Sequence, residues 1–241
     1  FDDREHAEFN DSLIVVDPVD PNRNVASALS EENFAVFIHA CREYLNNPRM
    51  EFFFPNDMVP ESIENLKEMI KRRGTTLIGI SFRTPEALSD ILHSQLRKSQ
   101  KAIVKLCERF DFSLMHSDFF VNDEVMLLFE FDVFLLPSAK LHKGPPVWHR
   151  NASDFLNKWT DSTMLIKGPY IMDGHWYVDI QRDYLNARKL IETQLDTLNL
   201  GGEINDALKK GYNILADSEM LKKRYALWLT MFLYPKFRWE Y

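Results

Sequence analysis

The sequence predicts an α+β protein in three parts: a helical connector over residues 1–74, an α/β body over 75–180 and a mostly helical tail over 181–241. The body gives the clearest signal, because the apolar residues of 124–136 alternate as they do in a strand with one buried face. A strand, a long helix and two strands joined by a tight turn follow one another there. That order opens a ferredoxin-like or RRM-like antiparallel sheet packed on helices.

The connector is predicted to hold two helices. Ser30 is a suitable N-cap, and apolar residues recur at helical spacing as far as Leu45, where an Asn-Asn-Pro sequence ends the pattern. Pro60 begins a second helix, and Gly74 ends it.

The body alternates strands and helices. Its predicted elements run strand, helix, strand, strand, helix, strand, strand over 75–82, 84–110, 111–121, 124–136, 151–159, 164–171 and 175–180. We expect the last two strands to extend the same sheet as the first three. From Tyr184 the apolar spacing is helical again, and the tail is predicted to consist of helices that finish with the apolar run 226–233.

Composition places the chain among ordinary globular proteins. Of its 241 residues 45% are hydrophobic and 13% aromatic, which is enough for sizeable cores. No apolar run approaches the roughly 20 residues that a membrane helix needs, and no signal peptide is recognisable. The two cysteines, Cys41 and Cys107, lie in apolar helical patterns and are predicted to be buried free thiols. We therefore expect a cytoplasmic protein without a membrane partner.

The charge pattern limits how the chain could bind nucleic acid. A formal net charge of -7 argues against binding through total charge. A local basic surface is still open, because the electrostatic field depends on how charges are distributed. The basic residues are clustered: Lys67, Lys71, Arg72 and Arg73; Arg97, Lys98, Lys101 and Lys105; Lys209 and Lys210; Lys222, Lys223 and Arg224.

The loop at 17–26 is the most informative segment. Two Asp-Pro steps follow the apolar run 13–16, and each proline fixes its own φ and restricts the residue before it. The loop should therefore be stiff, and it presents Arg23 and Asn24. An arginine fork held by a rigid loop suits recognition of a phosphate or a base edge. Asp17 and Asp20 are expected to shape the loop more than to bind a metal.

Four sequence words, read in order, resemble one family. They are DPVDPNRNVASALS from Asp17, EFFFP from Glu51, KGPPVW from Lys143 and KGPYIMDGHWYVDI from Lys167. They resemble the archaeal CCA-adding enzymes, the class I tRNA nucleotidyltransferases, and the resemblance continues into the aromatic tail, 232–241. It implies addition of C, C and A to tRNA 3′ ends from CTP and ATP, with tRNA as partner. It also implies that Arg23 lies near the incoming nucleotide, with Asn24 orienting it, binding a base edge or capping a turn.

The family also carries a catalytic head, with a Gly-Ser and an Asp-x-Asp pair that hold Mg²⁺. Neither motif occurs in this sequence. We therefore expect this chain to be the C-terminal portion of such an enzyme, to hold no catalytic or metal-binding residues, and to be inactive alone. A stand-alone RNA-binding module and part of a related poly(A)-type polymerase remain alternatives, and a homodimer remains open.

Two groups of residues are candidates for contacting tRNA. Arg97, Lys101 and Lys105 recur every fourth residue opposite the apolar stripe of their helix, with Lys98 beside them. They would form either a ridge of charge against the acceptor stem or an ordinary solvated helix face. The second group, Lys140, His142 and Lys143, lies in a predicted loop stiffened by Gly-Pro-Pro, where RNA contact and loop stiffening are equally compatible with the pattern. The connector would then supply nucleotide contacts, while body and tail bind the acceptor and T arms largely by shape.

Overall fold

The computed structural model describes residues 9–240, which fall into two units. The first unit contains 9–59 and 235–240, and the second contains 60–234. The predicted boundaries after residues 74 and 180 both lie inside the second unit and stay predictions.

In the first unit, the loop predicted to be stiff is followed by helix α1, Glu31–Asn46. The helix begins as expected, because the Ser30 hydroxyl accepts a hydrogen bond from the Asn33 N–H at 3.2 Å. Aromatic rings hold the rest of the unit together. Phe52 and Trp239 stack with their ring centroids 5.3 Å apart, so the aromatic end of the chain is a packing element of this unit.

The second unit is built around a four-stranded sheet with the order β2-β3-β1-β7, in which all neighbours are antiparallel. Its strands are β1 Thr76–Arg83, β2 Ser113–Val121, β3 Glu124–Val133 and β7 Tyr212–Ala216. With β7 counted as the fourth strand, this is the order of a ferredoxin-like sheet, and the predicted α+β class is confirmed.

Helices cover both faces of this sheet. The second unit contains α2 Ile63–Arg73, α3 Ser89–Arg109, α5 Ala187–Gln194, α6 Gly202–Lys209 and α7 Ala226–Leu233. Helices α3, α5 and α6 pack on one face, where alternate residues of β3 such as Leu127 and Phe129 are fully buried. Helices α2 and α7 pack on the other face, against Leu128 and its neighbours. The strand predicted from the alternating pattern is therefore confirmed as β3, but the expectation of a single buried face is wrong, because helices cover both faces.

A separate three-stranded sheet has the order β4-β6-β5, with one helix against it. Its elements are β4 Ala139–Pro146, α4 Ala152–Thr160, β5 Leu165–Met172 and β6 His175–Gln181. The expectation that the strands now seen as β5 and β6 extend the first sheet is wrong. The fourth position of that sheet is taken instead by β7, from a stretch that was predicted to be helical.

Candidate nucleic-acid interface

Asn24 is the centre of the loop that follows residue 16. Its side chain is only 5% exposed. Its Oδ1 accepts the N–H groups of Val15 and Ala26 at 2.8 and 3.0 Å, and its Nδ2 donates to Asp11 and to the Leu13 carbonyl at 2.7 and 2.8 Å. All four hydrogen-bonding positions of the amide are thus used within the loop. This geometry favours a scaffold role for Asn24 over the nucleotide contact also expected of it.

Arg23 points away from that scaffold. Its side chain is 68% exposed, and its Nη1 lies 3.7 Å from Oδ2 of Asp17, a loose pairing that leaves most of the guanidinium donors available. The backbone beneath it is fixed, because the Arg23 N–H donates to the Asp20 carbonyl and the Arg23 carbonyl accepts from the Asp17 N–H. The side chains of Asp17 and Asp20 each accept a backbone N–H two residues ahead, at 2.9 and 3.1 Å.

Between residues 9 and 240, no three His, Cys, Asp or Glu side chains are grouped so that they could share a metal ion. The same residues include no helix that is both long and apolar enough to cross a bilayer.

Helix α3 carries the predicted ridge of charge. Its apolar stripe, which includes Leu96 and Ile103, is buried against the four-stranded sheet. Arg97, Lys101 and Lys105 lie on the exposed side. None of these three cations forms an ion pair with an acid of residues 9–240. Within the described part of the chain their charges are therefore directed to solvent without an acidic partner.

A broad open groove of about 900 Å³ runs along this exposed side of α3. Its lining includes Ser89, Asp90, His93, Ser94, Arg97, Lys98, Lys101, Ala102 and Lys105. Lys98 is partly engaged, since its Nζ donates to Oδ1 of Asn199 at 3.1 Å. The groove brings the four cations predicted for α3 to a single surface, and Asp90 is the one acid among the described residues that line it.

The second predicted group does not lie in a loop. Residues 139–146 form strand β4 at the edge of the three-stranded sheet, so successive side chains point to opposite faces. Lys140 forms an ion pair with Asp111 at 2.6 Å, and Arg182 binds the same carboxylate. The two hydrogen bonds outweigh the effect of burial, so the pKa of Asp111 lies below its ordinary value. Lys140 is therefore part of a structural network, and Lys143 is the exposed cation of this group.

His142 faces α4. Its ring stacks on Phe155 with a centroid distance of 5.9 Å and lies 5.2 Å from the ring of Trp159. Burial, and then the positive charges of Lys158 and Lys140, hold the pKa of His142 below its usual range. A packed, neutral imidazole is a poor partner for phosphate, so the geometry favours packing over the RNA contact expected of this residue.

The sequence reasoning missed the network around Asp111. Asp111 and Arg182 are far apart in the chain, and no local pattern connects them. It also gave no separate weight to the turn after β4, where Trp148 and Arg150 are exposed. The proximity in sequence of an aromatic residue, Trp148, to basic residues was the available signal there.

Two protein-family models match this sequence. The model described as "CCA-adding enzyme, C-terminal domain" matches residues 73–217, and the model described as "tRNA nucleotidyltransferase, second domain" matches residues 2–54. The chain belongs to the CCA-adding enzyme family. The first model covers the four-stranded sheet and α3, and the second covers the loop that presents Arg23.

Curated relatives carry the same name. The CCA-adding enzyme of Methanosarcina barkeri is 35% identical over 213 residues, which are 88% of this chain and 47% of that protein. The enzyme of Haloarcula marismortui is 34% identical over 91% of this chain and 50% of its own length. That of Methanothermobacter thermautotrophicus is 32% identical over 94% and 50%. The chain therefore spans about half the length of the curated relatives it matches.

Proposed function

We propose that this chain forms the tRNA-binding and nucleotide-selecting portion of a tRNA nucleotidyltransferase that adds CCA to tRNA 3′ ends from CTP and ATP in the cytoplasm. Membership of the CCA-adding enzyme family supports the reaction class. The carboxylates that hold Mg²⁺ and carry out the nucleotidyl transfer would be supplied by a part of the enzyme other than residues 9–240.

The observation that carries the proposal is the exposed cationic groove along α3. The helix has five Lys or Arg residues and two acids, in a chain whose net charge is -7. Duplex RNA is recognised largely through its shape, its phosphates and its 2′-hydroxyl groups, and not through its base sequence. A row of cations one helical turn apart suits such contact, because it can follow a phosphate backbone without reading bases. This property suits an enzyme that must accept every tRNA.

The loop that presents Arg23 would supply nucleotide selection. Asn24 fixes the loop, and Arg23 leaves it with its guanidinium largely exposed. A rigidly based guanidinium can offer two parallel donors to a base edge while its charge attracts a triphosphate or an RNA phosphate. We assign Arg23 the nucleotide contact and Asn24 the positioning of the loop.

The test is the salt dependence of tRNA binding by this chain. For duplex nucleic acid, log Kobs falls with log[salt] by about 0.9 for each phosphate engaged. The triple variant Arg97→Gln, Lys101→Gln, Lys105→Gln should therefore weaken binding and reduce that slope by up to about 2.7. The slope can be measured by fluorescence anisotropy with labelled tRNA and with an acceptor–T-arm minihelix.

A matched control removes the same charge from another place. Helix α2 also carries three exposed cations without an acidic partner among residues 9–240, namely Lys67, Lys71 and Arg72. The corresponding α2 triple variant should change the slope little. Equal losses in both variants would show that binding follows total charge and not the α3 groove. Absence of tRNA binding by the wild-type chain at low salt would refute the RNA-binding part of the proposal.

A further inference from the structure

Trp148 is exposed to an unusual degree. It lies in the turn that connects β4 to α4, and 80% of its surface is accessible, more than for any other aromatic residue of 9–240. The other four tryptophans are buried or half-buried. The Trp148 indole therefore leaves most of its apolar area in contact with water, where it is open to a ligand.

The β5–β6 turn holds this exposed indole in place. The Val147 N–H donates to the Gly174 carbonyl at 3.0 Å, which ties the two turns together. Gly174 has a φ of +73°, and a Cβ atom there would lie 3.2 Å from Cη2 of Trp148. Glycine therefore serves both the backbone conformation and the close approach of the ring. The indole rests on the turn while most of its surface stays open.

Polar and basic residues flank the indole in sequence. His149 and Arg150 follow it directly, and Lys143 precedes it on β4; all three are exposed. Neither Lys143 nor Arg150 has an acidic partner within residues 9–240. Asp154 on α4, the acid nearest in sequence, and Asp173 in the facing turn make no ion pair with them. The turn therefore combines an open aromatic ring with uncompensated positive charge.

We propose that Trp148 is a stacking platform for an unpaired base of the bound RNA, with Arg150 and Lys143 attracting the adjoining phosphates. Single-stranded nucleic acid is bound in this way, by aromatic rings that stack on bases and by cations that follow the backbone. We favour RNA over an apolar protein partner because the residues that follow the ring, His149 and Arg150, are exposed and polar. The inference rests on the proposed RNA-binding function and adds a base contact outside the α3 groove.

The test uses two probes: a short single-stranded oligoribonucleotide and an oligomer of the same length with abasic riboses. The wild-type chain should bind the first more tightly, with quenching of tryptophan fluorescence. Trp148→Ala should weaken binding of the base-containing oligomer by about 5- to 100-fold, the range found for a lost base–aromatic stack. The same change should leave binding of the abasic oligomer unaltered. Trp148→Phe should retain part of the affinity and lose the quenching.

Phe54→Ala is the matched control, since Phe54 is also an exposed aromatic residue, at 71%, and lies in the other unit. It should bind both oligomers as the wild type does. If Trp148→Ala leaves the base-containing oligomer unaffected, or weakens both oligomers equally while its melting temperature is unchanged, the stacking role is refuted. If the wild-type chain binds neither oligomer nor tRNA, the proposed function fails with it. If tRNA binding is unchanged by Trp148→Ala, the stacking role is refuted and the proposed function is not.

Discussion

The ion pair between Arg73 and Glu130 permits a quantitative test of what joins α2 to the four-stranded sheet. Glu130 lies on β3 and is only 1% exposed. Arg73, the last residue of α2, binds it with both arms, Nε to Oε1 at 2.5 Å and Nη2 to Oε2 at 2.8 Å. The Thr75 hydroxyl donates a third bond to Oε1 at 2.6 Å. These bonds offset the cost of burying a carboxylate.

Removal of the Arg73 guanidinium should lower the free energy of unfolding by more than removal of the charge on Glu130. Arg73→Ala leaves a buried carboxylate with the Thr75 hydroxyl, and losing one partner of a buried pair costs about 3–5 kcal/mol in the free energy of unfolding. The Arg73 side chain is 28% exposed, which lets some water reach the site and places the expectation near the lower value. Glu130→Gln should cost about 1.5 kcal/mol, because it loses charge-assisted bonds but leaves the guanidinium access to solvent.

The pH dependence of stability should differ between the wild type and Arg73→Ala. Burial by itself would raise the pKa of Glu130. The hydrogen bonds from Arg73 and Thr75 lower the pKa by more than burial raises it, so the pKa of Glu130 lies below its ordinary value of 4.5. In the wild type, Glu130 therefore contributes stability above that pH, and the contribution is lost as the pH falls through the folded-state pKa. In Arg73→Ala, burial dominates and the pKa should rise, so folding takes up a proton. The difference in the free energy of unfolding between the wild type and Arg73→Ala should therefore be smaller at about pH 5 than at about pH 7.

Urea unfolding at the two pH values measures both effects, provided that m is unchanged between the proteins. Glu130→Gln is the control, since a side chain that does not titrate cannot make the stability deficit depend on pH in this range. An Arg73→Ala deficit below about 1 kcal/mol, or one that is constant over this pH range, would refute the view that a buried, ionised Glu130 depends on its partner.

Two further predictions concern single side chains. The structure corrects the expectation that both thiols are buried: Cys41 is exposed, whereas burial raises the pKa of Cys107 to about 12. A thiol-reactive dye should therefore modify one cysteine in the native chain and two after unfolding, and rapid labelling of both in the native state would contradict the packing. In a complete enzyme, Arg23→Ala should lower kcat/KM for CTP and ATP by about 10- to 100-fold with little change in Tm. Arg23→Lys should rescue little, and unchanged kinetics with all four nucleotides would leave Arg23 as a surface residue.

Long regular patterns were readable from the sequence, and short irregular ones were not. The periodicity of α3 placed that helix and most of its buried face correctly, and the alternation of β3 placed the strand but not its second buried face. Strand β7 has five residues, Tyr212–Ala216, and pairs with β1, which is more than 120 residues earlier in the chain. A run that short has no distinguishable period, and only the free edge of β1 requires a strand there.

Strand β4 was mistaken for a loop because it contains Gly144, Pro145 and Pro146. These residues are tolerated because β4 is an edge strand, where a missing N–H need not break a ladder. Gly144 has a second reason to be glycine: a Cβ atom there would lie 2.6 Å from Cζ of Phe155 on α4. The same assignment hid the alternation that turns His142 toward α4 and leaves Lys143 exposed.

Charge pairing decides which basic residues can serve an RNA surface, and the sequence cannot show it. Of the clustered cations, Arg73 binds Glu130, Lys209 binds Asp206 and Arg224 binds Glu124, so their charges are used within the protein. The α3 cations of the groove, Lys143 and Arg150 near Trp148, and the α2 cations Lys67, Lys71 and Arg72 form no ion pair among residues 9–240. A polyanion gains most from cations whose field no carboxylate cancels. The groove along α3 and the open ring of Trp148 are the features that support the two RNA contacts we propose in a chain that is acidic as a whole.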